Sequence, residues 1–324
     1  MGCTSDNDVP SPAIGDTDIQ LGAIGTCSTP ITRSYYADTY NTALPAGKNI
    51  DVFIYGADGN FVTHPTVSQT TVWVYQTVGA PDANGISTLS LISPEKTPKF
   101  PLVSGSTETY QDYVKIFAVF PSNSDLTPTT ASYPFTVESD QTEETNILKS
   151  DLMANTTQWS TQYAKSYCDE NAINLSMLHQ MAKIHVTFVA DGDMTSENLP
   201  TNFTVTNVYK TVTITPSSGT VGSGTVGNGL ADQGTITANT SQAFFLPPQT
   251  ISTSTVFLTF DIPSPTGSIF HSITGCSFTP TTEMVFEANT AYEVTVKVNV
   301  DFATTTASIT GWTLDILTFD DYIL

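Results

Sequence analysis

Positive charge is what this chain has least of. Its 324 residues hold 10 lysines and arginines against 31 aspartates and glutamates, a formal net charge of −21. Such a surface repels nucleic-acid phosphates and anionic headgroups, which excludes nucleic acid as a partner. Long apolar runs are missing too, and none approaches the roughly 18–20 residues of a membrane span. Apolar stretches of helical period are nearly absent, which excludes a helical bundle. Cysteine is confined to positions 3, 27, 168 and 276 with no CxxC pair, so neither a disulfide scaffold nor a zinc knuckle is expected. Three of the four allow at most one bridge if Cys3 is used otherwise, and buried free thiols are the expected state.

Catalytic signatures are also wanting. The sequence has no HExxH, GxSxG, Ser-x-x-Lys or EF-hand loop. His64, His179, His185 and His271 do not form a ligand pair at strand spacing, so solvated or core-satisfied histidines are expected. The run Gly219 to Gly229 lacks a Gly-Lys-Ser/Thr ending and a following helix, and reads as a hairpin tip rather than a phosphate cradle. Adjacent carboxylates such as Asp320-Asp321 and Glu143-Glu144 read as solvated. No cofactor, no metal and no enzyme activity are expected.

What is present is β-forming sequence. Thr, Val, Tyr and Phe favour strands, and Pro and Gly recur as turn punctuation. Strands are expected at Ile50 to Tyr55, Val72 to Tyr75, Ser87 to Ile92 and Tyr113 to Phe120, the last apolar on both faces and therefore central. Residues 139–175 are polar and read as an irregular inter-domain connection with one helical turn around Thr145 to Met153. Beyond it, Ile184, Val186 and Phe188 share a face, and Tyr292, Val294, Val296, Val298, Val300 and Phe302 alternate with polar residues. Short strands at regular spacing imply an all-β chain of two sandwiches or open barrels.

The first strand has a feature of its own. In Asp16 to Ile24, Ile19, Leu21 and Ala23 alternate with polar or small residues, the pattern of a strand with one buried face. Shortly after it comes Arg33, the sole arginine, followed by Ser34. One arginine-specific cut could detach this strand; the plainer reading is an edge strand followed by a loop. Upstream, Cys3 leads into the polar, acidic run Thr4 to Asp8. A mature bacterial lipoprotein begins in this way once its signal peptide is removed. An exposed cysteine of no consequence is the alternative.

The order of several motifs resembles the bacterial fimbrillin family, the surface lipoproteins that build type V pili. They are Thr32-Arg33; Gly47 to Phe53; the Tyr113 to Pro121 strand with its Phe120-Pro121 ending; Asp140-Gln141-Thr142; Ser150 to Ala154; His179 to Val186; and Ile309-Thr310-Gly311-Trp312. The resemblance implies two transthyretin-like β-sandwich domains in tandem. On this basis the chain divides into a flexible tether (1–15), an N-terminal sandwich with a removable first strand (16–172), a C-terminal sandwich (173–312) and an appendage (313–324). It also implies lipidation at Cys3, an outer-membrane lipoprotein that becomes part of a surface pilus, and processing between Arg33 and Ser34 by an arginine-specific protease. Loss of Ile19, Leu21, Ala23 and Ile24 would open a groove. A donor strand from another copy or another pilin, built on Leu314, Ile316, Leu317, Phe319, Tyr322 and Leu324, would fill it. The register of that donor is imperfect, with Leu314 and Ile316 on one face and Leu317 and Phe319 on the other. A chain with both a cut site and a donor fits a stalk subunit; a tip or accessory adhesin is the alternative. The surface ligand is not legible. A rival of a different class is a glycan-binding surface lipoprotein, which would expose Trp73, Tyr75 or Trp159 as a stacking platform.

Overall fold

Among the described residues, stretches rich in Val, Ile, Tyr and Phe become β strands, and α-helix is confined to two short pieces. The computed structural model describes residues 17–26, 44–62, 72–82, 86–94, 97–123, 132–191, 196–222, 233–264, 272–301 and 306–317. The first half contains β1 (Leu21–Thr26), β2 (Asn49–Gly56), β3 (Val72–Val78), β4 (Ser87–Leu91), β5 (Tyr113–Phe120), β6 (Tyr133–Thr136), α1 (Glu144–Ser150), β7 (Met153–Ala154), β8 (Tyr163–Ala164), α2 (Lys165–Glu170) and β9 (Ile173–His179). Seven of these strands lie in the order β2-β3-β4-β1-β9-β7-β5, and β5 pairs again with β2. The sheet thus closes on itself as a ring. β8 adds to the Tyr113 end of β5. Closure removes the free edges that an open sheet exposes.

Side chains alternate across the ring wall. Ile50, Val52 and Ile54 of β2 and Val114, Ile116, Ala118 and Phe120 of β5 point into a first core with Trp73, Tyr75, Ile173, Leu175 and Met177. Phe53, Tyr55, Phe117 and Val119, on the opposite faces of the same two strands, belong to a second core. This sharing explains why Tyr113 to Phe120 reads as apolar on both faces.

The second core is completed by β10 (Ala182–Asp191), β11 (Asn202–Tyr209), β12 (Thr211–Thr215), β13 (Thr220–Gly222), β14 (Gln233–Asn239), β15 (Phe244–Leu246), β16 (Gln249–Ile251), β17 (Leu258–Ile262), β18 (Ile273–Phe278), β19 (Met284–Phe286), β20 (Thr290–Asp301) and β21 (Thr306–Leu317). Two four-stranded sheets, β15-β10-β20-β21 and β14-β11-β17-β18, contribute to it. Phe188 of β10 meets Phe260 of β17 with ring centroids 4.6 Å apart. The alternating residues Tyr292, Val294, Val296, Val298 and Val300 are all buried. The chain is all-β.

The polar stretch 139–175 is more ordered than its composition indicates. Met153-Ala154 pairs with both β5 and β9, and Tyr163-Ala164 pairs with β5. β9, beyond the break expected at residue 172, pairs with β1 and β7 in the ring. β6 leaves the ring and pairs with β12. Buried Gln141 also links the halves: its Oε1 accepts from Phe245 N–H at 2.8 Å and its Nε2 donates to Phe245 O at 3.0 Å. His179 Nδ1 lies 2.6 Å from Asp151 Oδ1, with its ring stacked on Phe245. His185, expected on the polar face of its strand, is buried; its Nδ1 lies 2.6 Å from Glu293 Oε2 and its Nε2 lies 3.0 Å from Thr240 O.

Candidate functional site

β1 is an interior strand of the ring. It runs antiparallel to β4, with Ala23 opposite Thr88 and Ile24 opposite Ser87. On its other side it runs parallel to β9, from Leu21 opposite Ile173 to Thr26 opposite Met177. Its approach segment is fixed too: Ile19 N–H donates to Pro98 O at 2.8 Å, and Phe100 N–H donates to Thr17 O at 2.8 Å. The Asp18 carboxylate pairs with Lys99, and Thr17 Oγ1 donates to Asp169 Oδ1 at 2.7 Å. The Thr17 hydroxyl, followed by the Lys165 ammonium, holds the exposed Asp169 carboxyl below its ordinary range. Inside the ring, burial pushes the Tyr75 phenol upward and the Asp18 carboxylate adds to the shift.

Ile19, Leu21 and Ile24 are buried at 0%, 5% and 3% exposure and share the first core. Ala23 is half-buried. Strict alternation from Ile19 puts Ala23 inward; the structure puts Ile24 there instead. The cause is a register shift between Leu21 and Ala23, where β9 advances only from Ile173 to Asn174. Gly22 is the extra residue of a β-bulge. Its built Cβ would meet Ala172 Cβ and Asn174 Oδ1, each at 3.0 Å. An isolated glycine inside a strand pattern was the available signal.

The remaining candidate positions are spread apart. Leu314, Ile316 and Leu317 lie in β21, so the appendage expected from residue 313 starts inside a strand. There Leu314 stands opposite Val294, Ile316 opposite Tyr292 and Leu317 opposite Ala291. Leu314 packs on the second core, whereas Ile316 is 67% exposed. Cys3, Arg33, Ser34, Phe319, Tyr322 and Leu324 lie outside the described residues, as do His64, His271 and Cys27. Cys168 is a buried free thiol, pushed up to about 11 by burial, and Cys276 is a half-buried free thiol.

The aromatic platform is not available as expected. Trp73 and Tyr75 are buried in the first core at 1% and 3% exposure. Trp159 packs edge-on against Tyr55 and Phe117, with Lys115 Nζ 5.4 Å from its ring centroid. Gly219, at φ 63°, sits where a Cβ would strike Trp159 Cγ at 2.2 Å. These rings serve packing.

Two solved structures share the fold. A candidate cell adhesion protein from Bacteroides uniformis matches 93% of this chain and 98% of its own at a TM-score of 0.56 and 16% identity. Another, from Bacteroides ovatus, matches 94% and 99% at a TM-score of 0.57 and 13% identity. A fimbrial assembly protein from Parabacteroides distasonis matches 92% and 95% at a TM-score of 0.48 and 12% identity. No curated protein matches the chain in sequence. The family model described as "Fimbrillin-like" matches residues 32–312, starting after β1 and ending within β21. The chain belongs to the fimbrillin-like family.

Proposed function

We propose that the protein is a structural subunit of an adhesive surface pilus, and that β1 holds the place of a strand supplied by another subunit. The position of β1 carries this reading: it is an interior strand, hydrogen-bonded on both sides, with Ile19, Leu21 and Ile24 filling the first core. Its departure opens a groove between β4 and β9 whose backbone and apolar pockets only another strand can satisfy. An arginine-specific protease cutting after Arg33 releases the segment, and a strand from the next copy or from another pilin replaces it. The ring around the first core and the paired sheets around the second stand for the two tandem transthyretin-like units. Lipidation at Cys3 would deliver the chain to the outer membrane before the cut.

Brief trypsin treatment of the purified protein is the test. It should cut early at Arg33, and the cut chains should form SDS-resistant, heat-labile ladders. Arg33→Ala should block both events. Cut chains that stay monomeric with the tail intact would sink the stalk role, and a cut chain that accepts a donor but supplies none is a tip or accessory subunit.

A further inference from the structure

The bulge at Gly22 makes the pockets under β1 unevenly spaced. A regular strand buries every second residue, but here the inward positions are Ile19, Leu21 and Ile24, spaced two and then three. The outer side of β1 adds a further requirement. A Cβ built on Gly25 would stand 3.5 Å from Ile86 Cγ1, ordinary contact, and Ile86 is 42% exposed. A replacement strand therefore needs apolar residues spaced two and then three. At the bulge it needs a small residue, since a Cβ there already meets Ala172 Cβ and Asn174 Oδ1 at 3.0 Å, and it gains from an apolar residue just after the third inward one.

Residues 317–324 have this pattern. Leu317, Phe319 and Tyr322 repeat the two-then-three spacing; Asp320-Asp321 falls at the bulge; Ile323 follows directly after Tyr322. We infer, on the donor-strand reading above, that residues 317–324 of a second copy replace residues 19–26 in the direction of β1. Leu317, Phe319 and Tyr322 enter the pockets of Ile19, Leu21 and Ile24. Asp320 stands at Gly22, where Ala172 and the Asn174 side chain must each give way by a few tenths of an ångström for its Cβ, and Ile323 covers Ile86. Among the described residues, Leu317 alone leaves its pairing with β20 in this register.

Within residues 312–324, four other registers put apolar residues in the three pockets and fail outside them. Sliding by three residues uses Leu314, Ile316 and Phe319. That slide places Asp320 against Ile86 and Leu317 at the bulge, and it strips Leu314 to Leu317 from β20. Trp312, Leu314 and Leu317 put Thr318 beside Ile86 and strip more of β21 from β20. Reversing the strand uses Leu324, Tyr322 and Phe319; it places Thr318 beside Ile86 and exchanges the parallel and antiparallel ladders. The reversed Phe319, Leu317 and Leu314 put Ile316 at the bulge and Thr313 beside Ile86. The imperfect alternation of the tail is thus a match to a bulged groove.

Cysteine pairs separate the proposed register from the others. The full-length chain carries Ile86→Cys together with Ile323→Cys, Asp320→Cys or Thr318→Cys. Each variant is cut at Arg33, allowed to assemble and treated with a short bis-maleimide; single variants give the background from Cys168 and Cys276. The Ile86→Cys, Ile323→Cys pair should give a covalent subunit ladder several-fold stronger than either other pair. A ladder dominated by Asp320→Cys or Thr318→Cys, or assembly with no linkage in any pair, overturns the register and leaves the donor-strand reading standing. Failure of the natural sequence to assemble after cutting overturns both.

Discussion

Truncating the buried side chains of β1 one at a time separates a replaceable plug from an ordinary strand. Ile19, Leu21 and Ile24 are all within 5% exposure. Truncation of each to alanine should destabilise the uncut chain by about 2–4 kcal/mol, the range for buried Leu or Ile. For a chain of this size that is a drop in Tm of roughly 4–8 °C, at about 2 °C per kcal/mol. After the cut at Arg33 the three variants should diverge. The cut frees the end of the segment that follows Ile24, while the Ile19 end stays held by Lys99, Pro98, Phe100 and Asp169. Exchange that opens from the freed end breaks the Ile24 contacts first. Ile24→Ala should then speed ladder formation by about 30-fold or more, at 1.4 kcal/mol per tenfold. Ile19→Ala should change it little, although both variants lose similar stability when uncut. The assay is a time course of SDS-resistant oligomers beside thermal unfolding by circular dichroism. If Ile24→Ala lowers the Tm of the uncut chain and leaves the assembly rate unchanged, β1 stays in the ring during assembly and the plug argument is wrong.

Two further expectations concern the junction between the two cores and the ring wall. Asp51 is buried at 1% exposure; burial pushes its carboxyl up to about 6, against hydrogen bonds from Ser122 Oγ and Asn123 N–H that pull it down. Its folded pKa lies above the unfolded value of about 4, so the folded state holds the proton more tightly. Its contribution to stability is therefore greatest below pH 4 and is lost as pH rises through 6, by about 3 kcal/mol in all. Urea unfolding across that range should show this segment of slope in the natural chain and not in Asp51→Asn; an unchanged slope assigns the titration elsewhere. Gln141→Ala leaves the N–H and C=O of Phe245 without their partners in a buried place, and should lower unfolding stability by about 3 kcal/mol. A loss within about 0.5 kcal/mol, as for a surface change, would show that Gln141 does not hold the junction.

What could be read in the sequence was whatever a single strand decides for itself. Tyr292 to Val300 alternates because one face meets a core along its whole length, and that face is buried as expected. The double-sided apolarity of β5 marked it as central for the same reason. What could not be read was decided by partners far along the chain. The bulge at Gly22 exists because β1 pairs with β9, some 150 positions away, and it turns Ile24 inward in place of Ala23. Met153-Ala154 and Tyr163-Ala164 are strands only because β5 and β9 supply their hydrogen bonds; two residues carry no periodicity. His185 and Glu293 sit where alternation predicts a wet face, yet they bury each other, with Thr240 closing over the imidazole. β21 carries its pairing with β20 past Trp312 and at least as far as Leu317, which the composition of the tail does not signal.

The position of β1 also bears on why a pilus subunit would carry a plug. An edge strand could be lost with one ladder broken and one edge exposed. β1 has two ladders of opposite sense, parallel to β9 and antiparallel to β4. Its loss therefore turns a closed ring into two facing edges plus a row of apolar pockets. A stray strand that docks on either edge alone satisfies half of the backbone and none of the uneven side-chain spacing. A strand that satisfies both edges and fills the pockets must also carry a residue that fits the bulge. On the proposed reading, the plug would keep these edges covered until the cut, and the groove it leaves would discriminate by register. On that reading, the same geometry that suppresses indiscriminate edge pairing would narrow the set of strands able to continue the filament.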